Sequence, residues 1–99
     1  MRIMMKYVVI FKAQIKTFDA DYYLVADQLR QKALCEYQCQ KFESLYEKGA
    51  EIALSYWNSL DDIQAWHRDA EHLVAQKLGK EKWYQSFSVE ICEIKKSYC

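Results

Sequence analysis

The apolar positions of this chain recur with two different periods, and the changes from one to the other outline its elements. Alternation by two runs through Lys6–Ile15, where Tyr7, Val9, Phe11, Ala13 and Ile15 share one side of a first strand. Asp19 can cap a helix running to about Cys35, with Tyr22, Val25, Ala26, Leu29 and Ala33 on one stripe. Gln40–Tyr46 and Glu51–Trp57 read as two strands around Glu47-Lys48-Gly49-Ala50, where Gly49 can take the positive φ of a hairpin turn. Ser59-Leu60-Asp61-Asp62 has the form of a capping box. The helix it opens carries Leu60, Ile63, Trp66, Ala70, Leu73 and Val74 and should stop near Leu78-Gly79. A short, helix-like turn follows, and Tyr84–Ile94 is the last strand.

This order, β-α-β-β-α-β, predicts an α+β fold of the ferredoxin-like kind, with two helices on one face of a four-stranded antiparallel sheet. The other face is left open. In the third strand one side reads Ile52, Leu54, Tyr56 and the other Ala53, Ser55, Trp57. In the fourth, one side reads Phe87, Val89, Ile91 and the other Ser86, Ser88, Glu90. The small, weakly polar second sides are expected on the open face, because a solvated face normally alternates to long charged residues. Such a face suits the sheet of a second copy. The expectation is a homodimer, an isologous dimeric α/β barrel with a cavity between the two sheets.

Composition refines this picture. With 99 residues the chain is expected to be a single domain over 1–99, since a second core would have too little to bury. Fourteen basic residues balance fourteen acidic ones, which leaves no electrostatic footprint for nucleic acid or an anionic membrane. Three Trp, eight Tyr and four Phe exceed what so small a core absorbs, and point to a further buried surface or a pocket for a small aromatic or apolar ligand. The apolar run Tyr7–Phe11 is too short for a secretory or spanning segment, so a cytoplasmic location is expected. There Cys35, Cys39, Cys92 and Cys99 should be ordinary thiols. No metal-ligand spacing is present, and Gly49 and Gly79 are too far apart to form a phosphate loop, so no metal or other cofactor is expected.

The segment Glu51-Ile-Ala-Leu-Ser-Tyr-Trp-Asn-Ser-Leu60, with Trp66, Glu71-His72, Gln76, Leu78-Gly79 and Trp83-Tyr84, resembles the antibiotic biosynthesis monooxygenase family. That family forms dimeric α/β barrels, and the likeness is to its small stand-alone bacterial branch. The resemblance implies cofactor-independent oxygenation, in which a phenol or quinol is deprotonated in an apolar pocket and reacts directly with dioxygen. It carries over Trp66, His72, Trp83 and Tyr84, with Gln76 as a polar group on the helix. His72 is the candidate base, Tyr84 the candidate donor, on the open face by alternation with Ser86 and Ser88, and Trp66 completes the catalytic set. Trp83, Tyr56, Trp57, Gln76 and His67 are candidate ligand contacts.

Each candidate also has a plainer role. Trp66 fits a core tryptophan at helical spacing, and Tyr84 a hydrogen bond across the dimer interface. On one continuous helix His67 and His72 stand about 140° apart, too far round to share a metal. His67 with Glu71 fits a surface pair, and His72 with Asp69 an oriented base. Haem-degrading relatives use a strand-one asparagine and a histidine ten residues after the tryptophan. Here Gln76 takes the second place and Asn58 is the one asparagine, so that route is not expected. The alternatives to a monooxygenase are a non-catalytic dimeric ligand-binding or stress-accessory protein, or a haem-binding relative without that triad.

Overall fold

The computed structural model describes residues 5–17 and 19–98, without the side chains of Ala70 and Glu71. The strands are β1 (Tyr7–Ile15), β2 (Lys41–Glu47), β3 (Ala50–Trp57) and β4 (Tyr84–Glu93). The helices are α1 (Ala20–Glu36), α2 (Leu60–Arg68) and α3 (Ala70–Leu78), and a wide π-type turn, Gly79–Trp83, leads into β4. The β-α-β-β-α-β order stands, with its second helical segment divided in two. The sheet runs β2-β3-β1-β4 with every neighbour antiparallel.

Local chemistry accounts for the boundaries. The Asp19 carboxylate accepts from the Tyr22 N–H at 2.8 Å, and the Ser59 hydroxyl accepts from the Asp61 and Asp62 N–H groups, so both helices start at capped ends. Lys48 (φ 50°) and Gly49 (φ 80°) form the two-residue turn of the β2–β3 hairpin. Two successive positive φ values are what a twisted hairpin needs.

Register decides which side chains meet the helices, since directly paired residues share a face. Val9 pairs with Ser55 and Ile91, Phe11 with Ala53 and Val89, and Ala13 with Glu51 and Phe87. The β1 stripe therefore lies under the helices, together with Ala53, Ser55 and Trp57. This corrects the expectation for β3: its small-residue side is buried, and Ile52, Leu54 and Tyr56 lie on the open face. For β4 the assignment holds, with Ser86, Ser88 and Glu90 on the open face.

Tyr84 is a second correction. A bulge shifts the register so that Ile15 pairs with Tyr84 while Gln14 pairs with Ser86. One extra residue reverses the alternation. Tyr84 thereby joins buried Ile15 on the helix side instead of following Ser86 and Ser88.

The core beneath the helices falls into two clusters. One packs Val9, Ala33, Cys39, Trp57, Ile63 and Trp66; the other packs Ala13, Ile15, Tyr22 and Trp83. They sit at opposite ends of the sheet, and the space between them is the site described below.

The division between α2 and α3 fixes how that space is lined. Asp69 has extended backbone angles (φ −56°, ψ 138°), while its carbonyl accepts from the Leu73 N–H at 3.0 Å. It thus ends α2 and holds the capping position of α3, a place aspartate favours. Its carboxylate is tied to α1 by Lys32 Nζ at 3.1 Å and Tyr37 Oη at 2.7 Å. On an unbroken helix His72 would sit about 120° away from Trp66, and Leu73 and Val74 would continue the buried stripe. Instead Leu73 and Val74 are exposed, and His72 and Ala75 turn inward. Ala70, the remaining member of the expected stripe, lies outside the described side chains. Asp69→Ala, which removes the carboxylate that Lys32 and Tyr37 share at the break, should lower stability by about 2–3 kcal/mol in a urea melt. Asp27→Ala, at the exposed Arg30–Asp27 pair, should change it little.

Candidate active site

A cavity of about 500 Å³ lies between the helices and the covered face of the sheet. Val9, Phe11, Ala53 and Ser55 floor it, and Val25, Ala26 and Leu29 of α1 cover it. Phe87 and Val89 of β4 flank it on an edge that the helices do not cover, and both are exposed. The volume is that of an ordinary small-ligand pocket.

At one end stands a stack of rings. Trp66 lies 5.4 Å from Trp57 and 6.0 Å from Phe42, and its indole N–H donates to the Leu29 carbonyl at 3.1 Å. Its ring meets that of His72 edge-on at 4.4 Å, and His67 is 5.0 Å from His72. The two histidines are thus neighbours, contrary to the angle predicted for a continuous helix, because the break at Asp69 turns α3. Among the described residues they gather no third His, Cys, Asp or Glu that could complete a metal site. Gln76, one helical turn beyond His72, also lines this end.

His72 is 9% exposed, and its Nδ1 is buried with no hydrogen-bond partner among the described residues. The Asp69 carboxylate therefore does not engage that nitrogen, as an oriented-base pair would. The proposed partner of His67, the Glu71 side chain, lies outside the described residues. Burial pushes the His72 pKa down to about 4, aided by neighbouring His67 and opposed by Asp69. Burial also lowers that of His67. His72 is then a neutral imidazole at pH 7, not a group titrating near neutrality.

The sign of the resulting pH dependence follows from linkage. Below about 6.5 the unfolded chain protonates His72 while the folded chain resists down to about 4. Stability from this residue is present above 6.5 and lost as pH falls toward 4. The stability gap, taken as wild type minus His72→Gln, should move by about 2–3 kcal/mol against wild type over that interval in pH-resolved urea melts. Glu51, shifted the opposite way, is present in both proteins and drops out of the gap.

The other end holds a buried carboxyl. Glu51 pairs with Ala13, is 5% exposed, and accepts hydrogen bonds from the hydroxyls of Tyr22 and of Tyr46 (3.2 Å). Its carboxyl is pushed upward by burial, with the two phenols pulling the other way. Tyr22 is raised by burial and by the Glu51 charge, and Tyr84 likewise. The Tyr84 ring packs against Phe11, Phe87 and Tyr22. It also covers Gly79, where an added Cβ would come within 2.5 Å of the ring.

Of the residues expected at the site, Trp66, His67, His72, Gln76, Trp83 and Tyr84 line this one cavity. Tyr56 is on the opposite face of β3, and Trp57 is sealed in the core beneath Trp66, with its indole N–H on Ser55 Oγ at 2.9 Å. Glu51, Tyr22 and Tyr46 were missed. A glutamate at a strand start reads as a solvated charge, but its signal was there: it continues the buried alternation Ala53, Ser55, Trp57.

No family model matches the chain. YqjZ of Bacillus subtilis, an uncharacterised protein, is 32% identical over 89 residues, which cover 89% of this chain and 78% of YqjZ. The chain belongs to the YqjZ family. Solved structures place this YqjZ relative in a wider fold group. SnoaB, a cofactor-independent oxygenase from Streptomyces nogalater, matches with a TM-score of 0.78 over 95% of this chain and 97% of its own, at 7% identity. A structure described as an antibiotic biosynthesis monooxygenase matches with a TM-score of 0.74 over 89% and 97%, at 15% identity. A conserved protein from Methanosarcina mazei Go1 matches at 0.78 over 93% and 95%, at 18% identity. At these identities the likeness is one of fold, and the fold is the one the sequence resemblance implied.

Proposed function

We propose that this YqjZ relative is a cofactor-independent monooxygenase that oxidises a small aromatic phenol or quinol with dioxygen. The observation that carries the reading is the buried, neutral His72, which lines an aromatic-walled cavity and whose Nδ1 has no partner among the described residues. Buried polar atoms are normally satisfied, so an orphaned imidazole nitrogen beside a cavity marks a place for a ligand's polar group. SnoaB, of the same fold, supports the class of chemistry.

In the reaction His72 takes the proton of the ligand's acidic group, and the electron-rich anion reacts with dioxygen. One oxygen atom enters the substrate, and the other leaves as water with two hydrogens from the substrate, so the substrate is its own reductant. Gln76, on the same side of α3, can donate its amide N–H to the developing oxyanion. Trp66 and Trp83 wall the cavity and exclude water. Tyr84 stands at the far end, so it would engage a different group of the ligand from His72. Under ¹⁸O₂, metal-stripped protein should give product carrying one labelled oxygen per turnover. Product without label, or oxidation that needs an added metal or flavin, would refute the reading.

We propose further that the chain forms a homodimer through the open face of the sheet. That face presents Val8, Ile10, Ile52, Leu54 and Tyr56, and an apolar patch of this extent rarely faces water alone. Light scattering at micromolar concentration should give a dimer mass, from an interface burying upwards of about 2,000 Å². A monomer of 11.9 kDa would exclude it. The free thiols of Cys35, Cys39 and Cys92 suit a reducing cytoplasm.

A further inference from the structure

We propose that the Glu51 end of the cavity is a cation subsite that takes the ammonium group of an aromatic or aliphatic amine. The chemistry is that of a carboxylate set in an aromatic box. Glu51 is nearly fully buried, and among the described residues no lysine, arginine or histidine pairs with it. Its partners are two phenols. They occupy one site on each oxygen and leave the remaining lone pairs for a further donor. Buried carboxylates are ordinarily matched by a cation, and the described residues supply none here.

The surroundings complete the recognition. Tyr22, Tyr23, Tyr46, Trp83, Tyr84 and Phe87 all line this part of the cavity. Their rings interlock at centroid distances of 5.4 Å (Tyr22–Trp83), 6.2 Å (Tyr22–Tyr84), 6.4 Å (Tyr23–Tyr46) and 5.8 Å (Tyr84–Phe87). Ring faces attract cations through their quadrupole; buried Tyr22 and Trp83 form the inner wall here, and the exposed Tyr23, Tyr46 and Phe87 form its open rim. Arg30 is no internal counter-ion, because it pairs with Asp27 and stands two helical turns from Tyr22, about 12 Å along α1. The distance to the histidine end sets the reach. Glu51 and Ser55, which pairs with Phe42 below Trp66, are four residues apart on β3, roughly 13 Å. An amine held at Glu51 can therefore lay an apolar body along Phe11, Ala53 and Val9 toward Trp66.

This subsite does not depend on oxygen chemistry, and its test is a binding measurement made without turnover. Calorimetric titration would compare 4-phenylbutylamine, as its ammonium ion, with the neutral 4-phenylbutan-1-ol. The amine should bind at least about tenfold more tightly at pH 7, the combined effect of a charge-assisted hydrogen bond and ring contacts. Glu51→Gln, with fold verified by circular dichroism, should bring the ratio near one. A wild-type measurement guards against a variant that fails to fold. The phenols around Glu51 are those of Tyr22 and Tyr23 of α1, Tyr46 of β2 and Tyr84 of β4, and burial raises Tyr22, Tyr46 and Tyr84 further from neutrality. The amine preference should therefore fall as pH drops from 8 to 4 and Glu51 protonates. Equal binding of amine and alcohol, a preference that survives Glu51→Gln, or one indifferent to pH would each overturn the assignment.

Discussion

His72→Ala should depress turnover of a quinol or anthrone by about 10²–10⁴-fold, the contribution of a positioned base. The expectation rests on the imidazole being neutral and enclosed, with Nδ1 unengaged by any described residue. A low pKa keeps the basic form fully populated at pH 7. It also makes the imidazolium costly, so in the proposed reaction proton transfer would have to be pulled forward by the reaction of the anion with oxygen. The loss should fall on kcat, with KM changing far less, because walls of Trp66, Phe11 and Leu29 still bind the ring. His72→Ala should remain folded, since the alanine relieves a buried unpaired nitrogen. Unchanged turnover in a folded variant would remove His72 from the mechanism.

Trp66→Ala should lower stability strongly, by about 3–5 kcal/mol for loss of a buried tryptophan. Trp66 is 6% exposed and touches Trp57, Phe42, His67 and His72, while its N–H ties α2 to the Leu29 carbonyl of α1. Its removal would open the histidine end and release the contact between helices. Because small domains hold only about 5–15 kcal/mol in total, the variant should unfold at a much lower urea concentration. Trp66→Phe keeps the ring contacts and loses the hydrogen bond, so it should cost nearer 1–2 kcal/mol. If Trp66→Ala melts like wild type, the ring stack does not hold the helices to the sheet.

What the sequence disclosed was periodic. The stripes of β1 and α1 and the Gly49 turn follow from spacing alone, because each residue's partner face is set by its neighbours in the chain. The features that shape the cavity are interruptions of periodicity. The bulge before Ser86 turns Tyr84 inward, and the break at Asp69 turns His72 inward, each against the phase its segment predicts. Asp69 breaks the helix where Lys32 of α1 and Tyr37, just past its end, hold the Asp69 carboxylate, a contact visible only once the layers are packed. Glu51 was hidden for the same reason, since its phenol partners come from α1 and β2. The sides of β3 lie opposite to the expectation because small side chains there mark a cavity and not an exposed face. Ala53 and Ser55 are small because a cavity lies above them.

The central claim is that this cavity runs oxygen chemistry with its own residues, and oxygen uptake by the purified chain measures it most directly. With an anthrone as substrate and chelator present, wild-type protein should consume one dioxygen per substrate oxidised, well above the protein-free rate. Uptake no faster than in buffer alone, from protein shown to be folded and to bind the anthrone, would contradict the account.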